Sequence, residues 1–223
     1  MKTIPTLVLI LSALIAMAGG IWLGQSGNDE RLSLKPAVIQ GAIYPQAKVI
    51  KHFELQDQHS KTVSKRDFIN KWSLVFVGYT NCPDICPTTL SVMNQVIEYM
   101  YEQHIEVPQI VFLSIDPERD TPLHLKRYVE YFNEDFLALT GSVKQVTQLS
   151  QDLNAVFRKA PGFTGEISKD DYLMDHSSAL MLINPDGNLQ SILTAPHLPG
   201  TIIESIIQSK AYYEATLDDK QDS

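Results

Sequence analysis

The two cysteines of this 223-residue chain, Cys82 and Cys86, are four positions apart. A proline follows each of them, in the segment Cys-Pro-Asp-Ile-Cys-Pro. Proline is tolerated in the first turn of a helix but not in its interior, so both cysteines should lie at or before the start of the next helix. Backbone N–H groups and the helix dipole favour thiolates at that position. The pair is therefore suited to redox or metal chemistry.

Three roles are open to such a pair: a structural disulfide, a redox-active dithiol or a metal site. A disulfide that closes so short a loop contributes only about 2 kcal/mol, which would add little to the fold. A redox role suits an exported protein, because oxidising compartments permit disulfide chemistry. Two thiolates can also converge on one ion, and soft thiolates select Cu(I) or zinc. Structural zinc needs four protein ligands, and no second Cys or His pair is visible, so copper fits better.

A third metal ligand should be one of the histidines, and His176 is the strongest candidate. It follows Asp175 and lies shortly before an apolar run at residues 179–183, which should share a sheet with the run at 72–79. The start of that strand could then face the cysteine loop. Asp175 could orient the imidazole, as carboxylates often do around metal sites. The other histidines are His52, His59, His104, His124 and His197.

Elements that could position these residues are indicated by the hydrophobic pattern. Continuous apolar runs at 72–79 and 109–115 predict buried central strands. Further strands are predicted at 48–55, 179–183 and 189–193, and helices at 88–101, 122–132 (capped by Thr121), 143–157 (capped by Ser142) and 201–213. This order predicts an α/β fold, a three-layer sandwich with a mixed central sheet, compatible with a thioredoxin-like core.

The N-terminal segment 1–24 predicts a transmembrane helix. Residues 4–23 carry no charge, and a helix of that length spans about 30 Å, the thickness of a bilayer core. The alternative is a cleaved signal peptide, with Ala16-Met17-Ala18 as its cleavage site. The anchor is favoured because the apolar run continues past that site. Either interpretation exports the rest of the chain, and the lack of an Arg- and Ser-rich transit segment favours a bacterial envelope protein.

Periodicity and composition divide the rest of the chain into segments and exclude several classes of protein. Residues 25–46 have little periodicity and predict a tether, residues 47–217 a folded domain and residues 218–223 a polar tail. A content of 44% hydrophobic residues excludes a disordered chain, and two cysteines exclude a disulfide-rich scaffold. The net charge of −8, without a basic cluster, argues against nucleic-acid binding.

Three motifs in this order carry a family resemblance. They are GYTNCPDICPTTL at 78–90, SIDPERDTP at 114–122 and YLMDHS at 172–177. With them, the chain resembles the Sco/SenC family of copper-binding, thioredoxin-fold proteins that help to assemble cytochrome c oxidase. The resemblance spans about residues 47–213. The turn Asn-Pro-Asp-Gly at 184–187 also matches, except that the family usually has Asp where Asn184 stands.

The resemblance implies a metallochaperone whose copper ligands are Cys82, Cys86 and His176, with Asp175 as an outer-sphere partner. Thiolates suit Cu(I), and the imidazole also suits Cu(II). The implied recipient is the binuclear copper site of cytochrome c oxidase subunit II, or another periplasmic copper protein. The implied location is the bacterial inner membrane, with one membrane span and the folded domain in the periplasm.

The alternative function is that of a thiol–disulfide oxidoreductase that reduces the acceptor's cysteines. Thioredoxin-like oxidoreductases usually have two residues between the cysteines and a proline before the facing strand. This chain has three residues between them and no proline from Gly162 to Asn184, which favours a chaperone over an enzyme. A thiol peroxidase would need an arginine beside the reactive cysteine, and none is near Cys82 in sequence. Asp116 and Arg119 either shape the site or contact a partner, or they belong to an ordinary strand end and helix cap.

Overall fold

The computed structural model describes residues 39–169 and 171–221, together with Met17. The segment predicted to cross a membrane, residues 1–24, lies outside the described residues except for Met17. Among the helices that are described, none is both long enough and apolar enough to span a bilayer.

Eight strands form the central sheet, in the order β1-β10-β9-β4-β5-β6-β2-β3. Their bounds are β1 (Gly41–Lys48), β2 (Glu54–Asp57), β3 (Thr62–Ser64), β4 (Ser73–Gly78), β5 (Gln109–Ser114), β6 (Leu137–Thr140), β9 (Leu180–Ile183) and β10 (Leu189–Leu193). Strands β4, β5 and β6 are parallel, and the other pairs are antiparallel, so the sheet is mixed as predicted. The strands β7 (Phe157–Pro161) and β8 (Tyr172–His176) form a separate antiparallel hairpin.

The helices are α1 (Ile85–Glu102), α2 (Pro122–Glu130), α3 (Val143–Asp152) and α4 (Pro199–Gln221), with a short 3-10 helix at Lys65–Phe68. Helix α1 contacts α4, which also packs on β10, while α2 packs on β6 and α3 on β2. Strand β4 is buried at every residue, which requires cover on both faces of the sheet. The result is the predicted mixed α/β fold.

Two helix starts follow the predicted caps. The hydroxyls of Thr121 and Ser142 accept hydrogen bonds from the backbone N–H groups of His124 and Gln145, each at 3.3 Å. The end of α3 differs from the prediction of 143–157, because the chain leaves the helix at Asp152 and Asn154 adopts a left-handed conformation with φ of 58°. Phe157 belongs to β7 instead.

The sheet begins earlier than predicted, inside the segment interpreted as a tether. Strand β1 pairs with β10, with Gly41 opposite Leu193 and Ile43 opposite Ser191. Its burial does not alternate between neighbouring residues, so its sequence lacks the signal of a strand with one buried face. The strand predicted at 48–55 starts only at Glu54, and α4 extends to Gln221, through most of the predicted tail.

Candidate metal centre

The cysteines lie where β4 gives way to α1, at the carboxyl end of a central parallel strand. Cys82 is in the connecting loop, and its backbone N–H donates to the carbonyl of Tyr79 at 3.2 Å. Cys86 is the second residue of α1, inside its first turn rather than before it. The N-cap, Asp84, makes no capping hydrogen bond with its side chain. Cys82 thus lies before the helix, as predicted, whereas Cys86 lies within its first turn, where Pro87 is tolerated.

Gly78, the last residue of β4, makes room for the second thiol. A Cβ at this position would lie 2.8 Å from Sγ of Cys86 and 2.8 Å from the ring of Phe112. Both distances are far below normal van der Waals contact. The absence of a side chain therefore allows Cys86 to pack directly against the central sheet.

His176 reaches the cysteines because of how β9 pairs. Strand β9 runs antiparallel to β4, with Leu180 opposite Phe76, which confirms the prediction that both strands share one sheet. Residues just before Leu180 consequently approach the end of β4, where the cysteine loop begins. His176 is the last residue of β8, so it is brought to that same edge.

The three predicted ligands come together in space. Nε2 of His176 is 3.8 Å from Sγ of Cys86, and the ligand atoms of Cys82, Cys86 and His176 all lie within 4.8 Å of one another. In the described part of the chain, no other group of three Cys, His, Asp or Glu side chains comes together in this way. Both thiols are free, with Cys86 fully buried and Cys82 9% exposed.

The imidazole is oriented by the backbone. Nδ1 of His176 lies 2.9 Å from the carbonyl oxygen of Ser177, which can only accept a hydrogen bond, so Nδ1 carries the proton. The lone pair of Nε2 then faces the sulfur atoms. The rings of Phe76 and Tyr79 pack against the imidazole in T-shaped arrangements, at centroid distances of 6.2 Å and 6.0 Å.

Asp175 does not orient the imidazole, contrary to the prediction. Its carboxylate accepts from Nη2 of Arg158 at 3.0 Å, and 57% of its side chain is exposed. Neighbouring residues of a strand point to opposite faces, so Asp175 turns away from the site that His176 enters. The carbonyl of Ser177 takes the role predicted for this carboxylate.

The two thiols have opposite acid–base behaviour. A hydrogen bond from Cys86 lowers the pKa of Cys82 to about 4, against the effect of burial. The same hydrogen bond, together with burial, raises the pKa of Cys86. The metal-free site at neutral pH therefore holds one thiolate and one thiol, which donates to it.

Asp120 is a further site residue that the sequence interpretation missed. Its buried carboxylate accepts from the backbone N–H of Thr80 at 3.1 Å, from the Thr80 hydroxyl at 2.5 Å and from the Ser114 hydroxyl at 2.6 Å. Burial raises the pKa of this carboxyl. Thr80 belongs to the cysteine loop, so Asp120 ties that loop to the end of β5. Its place after a buried parallel strand is a signal that could have indicated this role.

Comparison with known proteins shows which family this chain resembles. A family model described as SCO1/SenC matches residues 42–211. The human protein named SCO2 homolog, mitochondrial, is 33% identical over 215 residues, covering 95% of this chain and 78% of its own.

Two solved structures with copper bound are also similar. ScoI of Bradyrhizobium japonicum is 30% identical with a TM-score of 0.62, covering 74% of this chain and 99% of its own. ScoI of Arabidopsis thaliana is 28% identical with a TM-score of 0.66, covering 73% of this chain and 99% of its own.

Proposed function

Because the chain belongs to the SCO1/SenC family, we propose that it binds copper through Cys82, Cys86 and His176. The observation that carries this proposal is the convergence of two sulfur atoms and one imidazole nitrogen within 4.8 Å. Similar proteins from Bradyrhizobium japonicum and Arabidopsis thaliana have been solved with copper bound.

The donor set fits copper on chemical grounds. Two thiolates and one imidazole match the preference of Cu(I) for soft ligands, and the imidazole makes the same set usable by Cu(II). The Nε2 lone pair already faces the sulfur atoms, because Nδ1 is held by Ser177. Binding as a dithiolate requires loss of the proton held by Cys86, so copper affinity should fall as the pH falls.

We further propose that the bound copper is cargo, delivered to the binuclear copper site of cytochrome c oxidase subunit II. The site lies near the surface, as a transfer site must. His176 is only half-buried. An acceptor's thiols could approach the ligands from that side and displace them by exchange.

The apolar N-terminal segment supports a proposed location. Residues 4–23 are uncharged and long enough to span a bilayer as a helix. We propose that they anchor the chain in the bacterial inner membrane, with the copper site on the periplasmic side. There the site would face the part of the oxidase that receives copper.

The copper site is tested by titrating the reduced protein with Cu(I) against a chromophoric chelator. Replacement of any ligand, in Cys82→Ala, Cys86→Ala or His176→Ala, should lower the affinity by more than about 100-fold, the upper range for loss of an outer-shell partner. The matched control is His124→Ala, which removes an exposed histidine on α2. Unchanged affinity in the cysteine variants would overturn the proposal.

A second candidate function is thiol–disulfide exchange, which the lowered pKa of Cys82 favours. The Cys82 thiolate would attack an acceptor disulfide, and Cys86 would then release the acceptor as a dithiol. Two electrons pass to the acceptor, and the protein is left with a Cys82–Cys86 disulfide. Turnover assays on oxidised subunit II separate the candidates. Reduction of the acceptor without copper supports a reductase, and copper transfer only to acceptor already reduced supports a chaperone.

A further inference from the structure

The strand that carries His176 is not part of the central sheet. Within the described residues, β8 forms a ladder only with β7. Its carboxyl end is fixed because residues 177–179 lead directly into β9. The other end of β8, at Tyr172, has no backbone ladder to the sheet. Its position therefore depends on side-chain contacts.

Arg119 makes those contacts with Tyr172. Its Nη1 donates to the Tyr172 carbonyl at 3.0 Å, and its guanidinium carbon lies 3.6 Å from the centroid of the Tyr172 ring. Its Nε donates to the carboxylate of Asp116, which also accepts from the Tyr172 hydroxyl at 2.6 Å. The side chains of Arg119 and Asp116 are only 16% and 2% exposed. One guanidinium thus fixes both the backbone and the ring of Tyr172.

The same guanidinium also lies beside the cysteine loop. Its central carbon is 5.8 Å from the centroid of the Tyr79 ring. The Tyr79 carbonyl accepts the backbone hydrogen bond of Cys82, and the Tyr79 ring stands perpendicular to the ring of His176. The next residue after Arg119, Asp120, holds Thr80 of that loop. Residues 116–120 therefore contact both halves of the site.

We infer that Arg119 is a positioning residue, which sets where His176 stands relative to the two thiols by fixing β8 against the cysteine loop. The effect of Arg119 on copper binding rests on the proposed function, whereas its effect on the position of β8 does not. A lysine could not replace it, because an ammonium lacks the planar fork that bonds to two acceptors while stacking on a ring.

The alternative is that Arg119 only neutralises the charge of the buried Asp116. Variants at both positions separate this role from the positioning of β8. Arg119→Gln and Arg119→Lys each remove the fork. The double variant Asp116→Asn with Arg119→Gln also removes the buried charge that a single change would leave unpaired. The matched control is Arg158→Gln. Arg158 also pairs with a residue of β8, Asp175, but its side chain is 80% exposed. An exposed ion pair contributes little.

The first measurement is amide hydrogen exchange of the metal-free reduced protein. Exchange at residues 172–176 should rise at least about tenfold in all three Arg119 variants, while β4 and β5 keep their protection and Arg158→Gln resembles the unsubstituted protein. A uniform rise in every strand, or unchanged exchange in β8, would overturn the inference. So would recovery of β8 protection in the double variant, because charge neutralisation would then explain the single variants.

The second measurement uses the Cu(II) form, for which the imidazole is a preferred ligand. The nitrogen coupling in its electron paramagnetic resonance spectrum should weaken or become heterogeneous in the Arg119 variants and stay unchanged in Arg158→Gln. An identical nitrogen signal in all variants would contradict control over His176. If the unsubstituted protein does not bind copper at all, the proposed function fails, and hydrogen exchange alone still decides the role of Arg119.

Discussion

The unequal thiols of Cys82 and Cys86 give the metal-free site a defined reactivity. The pKa of Cys82 is lowered to about 4, so this sulfur is a thiolate throughout the physiological range. An ordinary thiol has a pKa near 8.5 and gains reactivity about tenfold per pH unit below it. Burial and the shared proton keep Cys86 in its neutral form.

Alkylation of the reduced metal-free protein by iodoacetamide should therefore show two behaviours. Cys82 should react at a rate that changes little between pH 6 and pH 8 and falls only as the pH drops towards about 4, where its thiolate becomes protonated. Fully buried Cys86 should remain unmodified. Mass spectrometry of the digested protein locates the label. A Cys82 rate that rises tenfold per unit from pH 6 to pH 8 would contradict the lowered pKa.

Gly78 offers a second test at the residue scale. In Gly78→Ala the new methyl group would meet Cys86 and Phe112 at 2.8 Å, and overpacking of this kind costs about 1–3 kcal/mol. Urea unfolding should show that loss, and Cu(I) affinity should fall because Cys86 must shift. The matched control is Gly200→Ala in α4, where a Cβ meets nothing within 4 Å and should be neutral or stabilising. Equal stabilities of the two variants would refute this account.

The elements differ in how well the sequence reveals them. Strands β4 and β5 are buried along almost their whole length, so their continuous apolar runs identified them. Strands β7 and β8 form a hairpin beside the sheet, and β7 has no fully buried residue, so no periodic pattern indicates it. His176 could be predicted from its motif. The turn of Asp175 away from it could not, because that depends on β8 being a strand.

The cysteine loop depends on a contact between elements that sequence periodicity does not encode. Thr80 donates both its N–H and its hydroxyl to the buried Asp120. In Thr80→Val the carboxylate loses one of its hydrogen bonds, which should lower the free energy of unfolding by about 1–3 kcal/mol and weaken Cu(I) binding. Thr80→Ser keeps the hydroxyl and should retain both properties. Urea unfolding measures the stability, and chelator competition measures the Cu(I) affinity. A valine variant as stable as the serine variant would contradict a stabilising hydrogen bond between Thr80 and Asp120.

At the scale of the whole molecule, the strand order separates the site from β1, the first strand that the structure describes. Strand β4 leads into the cysteine loop, and β9 and β10 separate it from β1 at the edge. The edge strand β1 covers the otherwise free backbone groups of β10. It should therefore contribute to stability without forming the site.

A chain beginning at Ala47, where the sequence suggested that the domain starts, should consequently fold with a weakened edge. Loss of the paired residues Gly41, Ala42 and Ile43 removes backbone hydrogen bonds to β10, each worth about 1 kcal/mol net. A chain beginning at Ala37 keeps β1 and serves as the control. Urea unfolding should rank the Ala37 chain as more stable by about 2 kcal/mol or more, with equal Cu(I) affinity in both. Equal stabilities would show that β1 is a tether after all, and a loss of copper affinity would show that the edge strand supports the site.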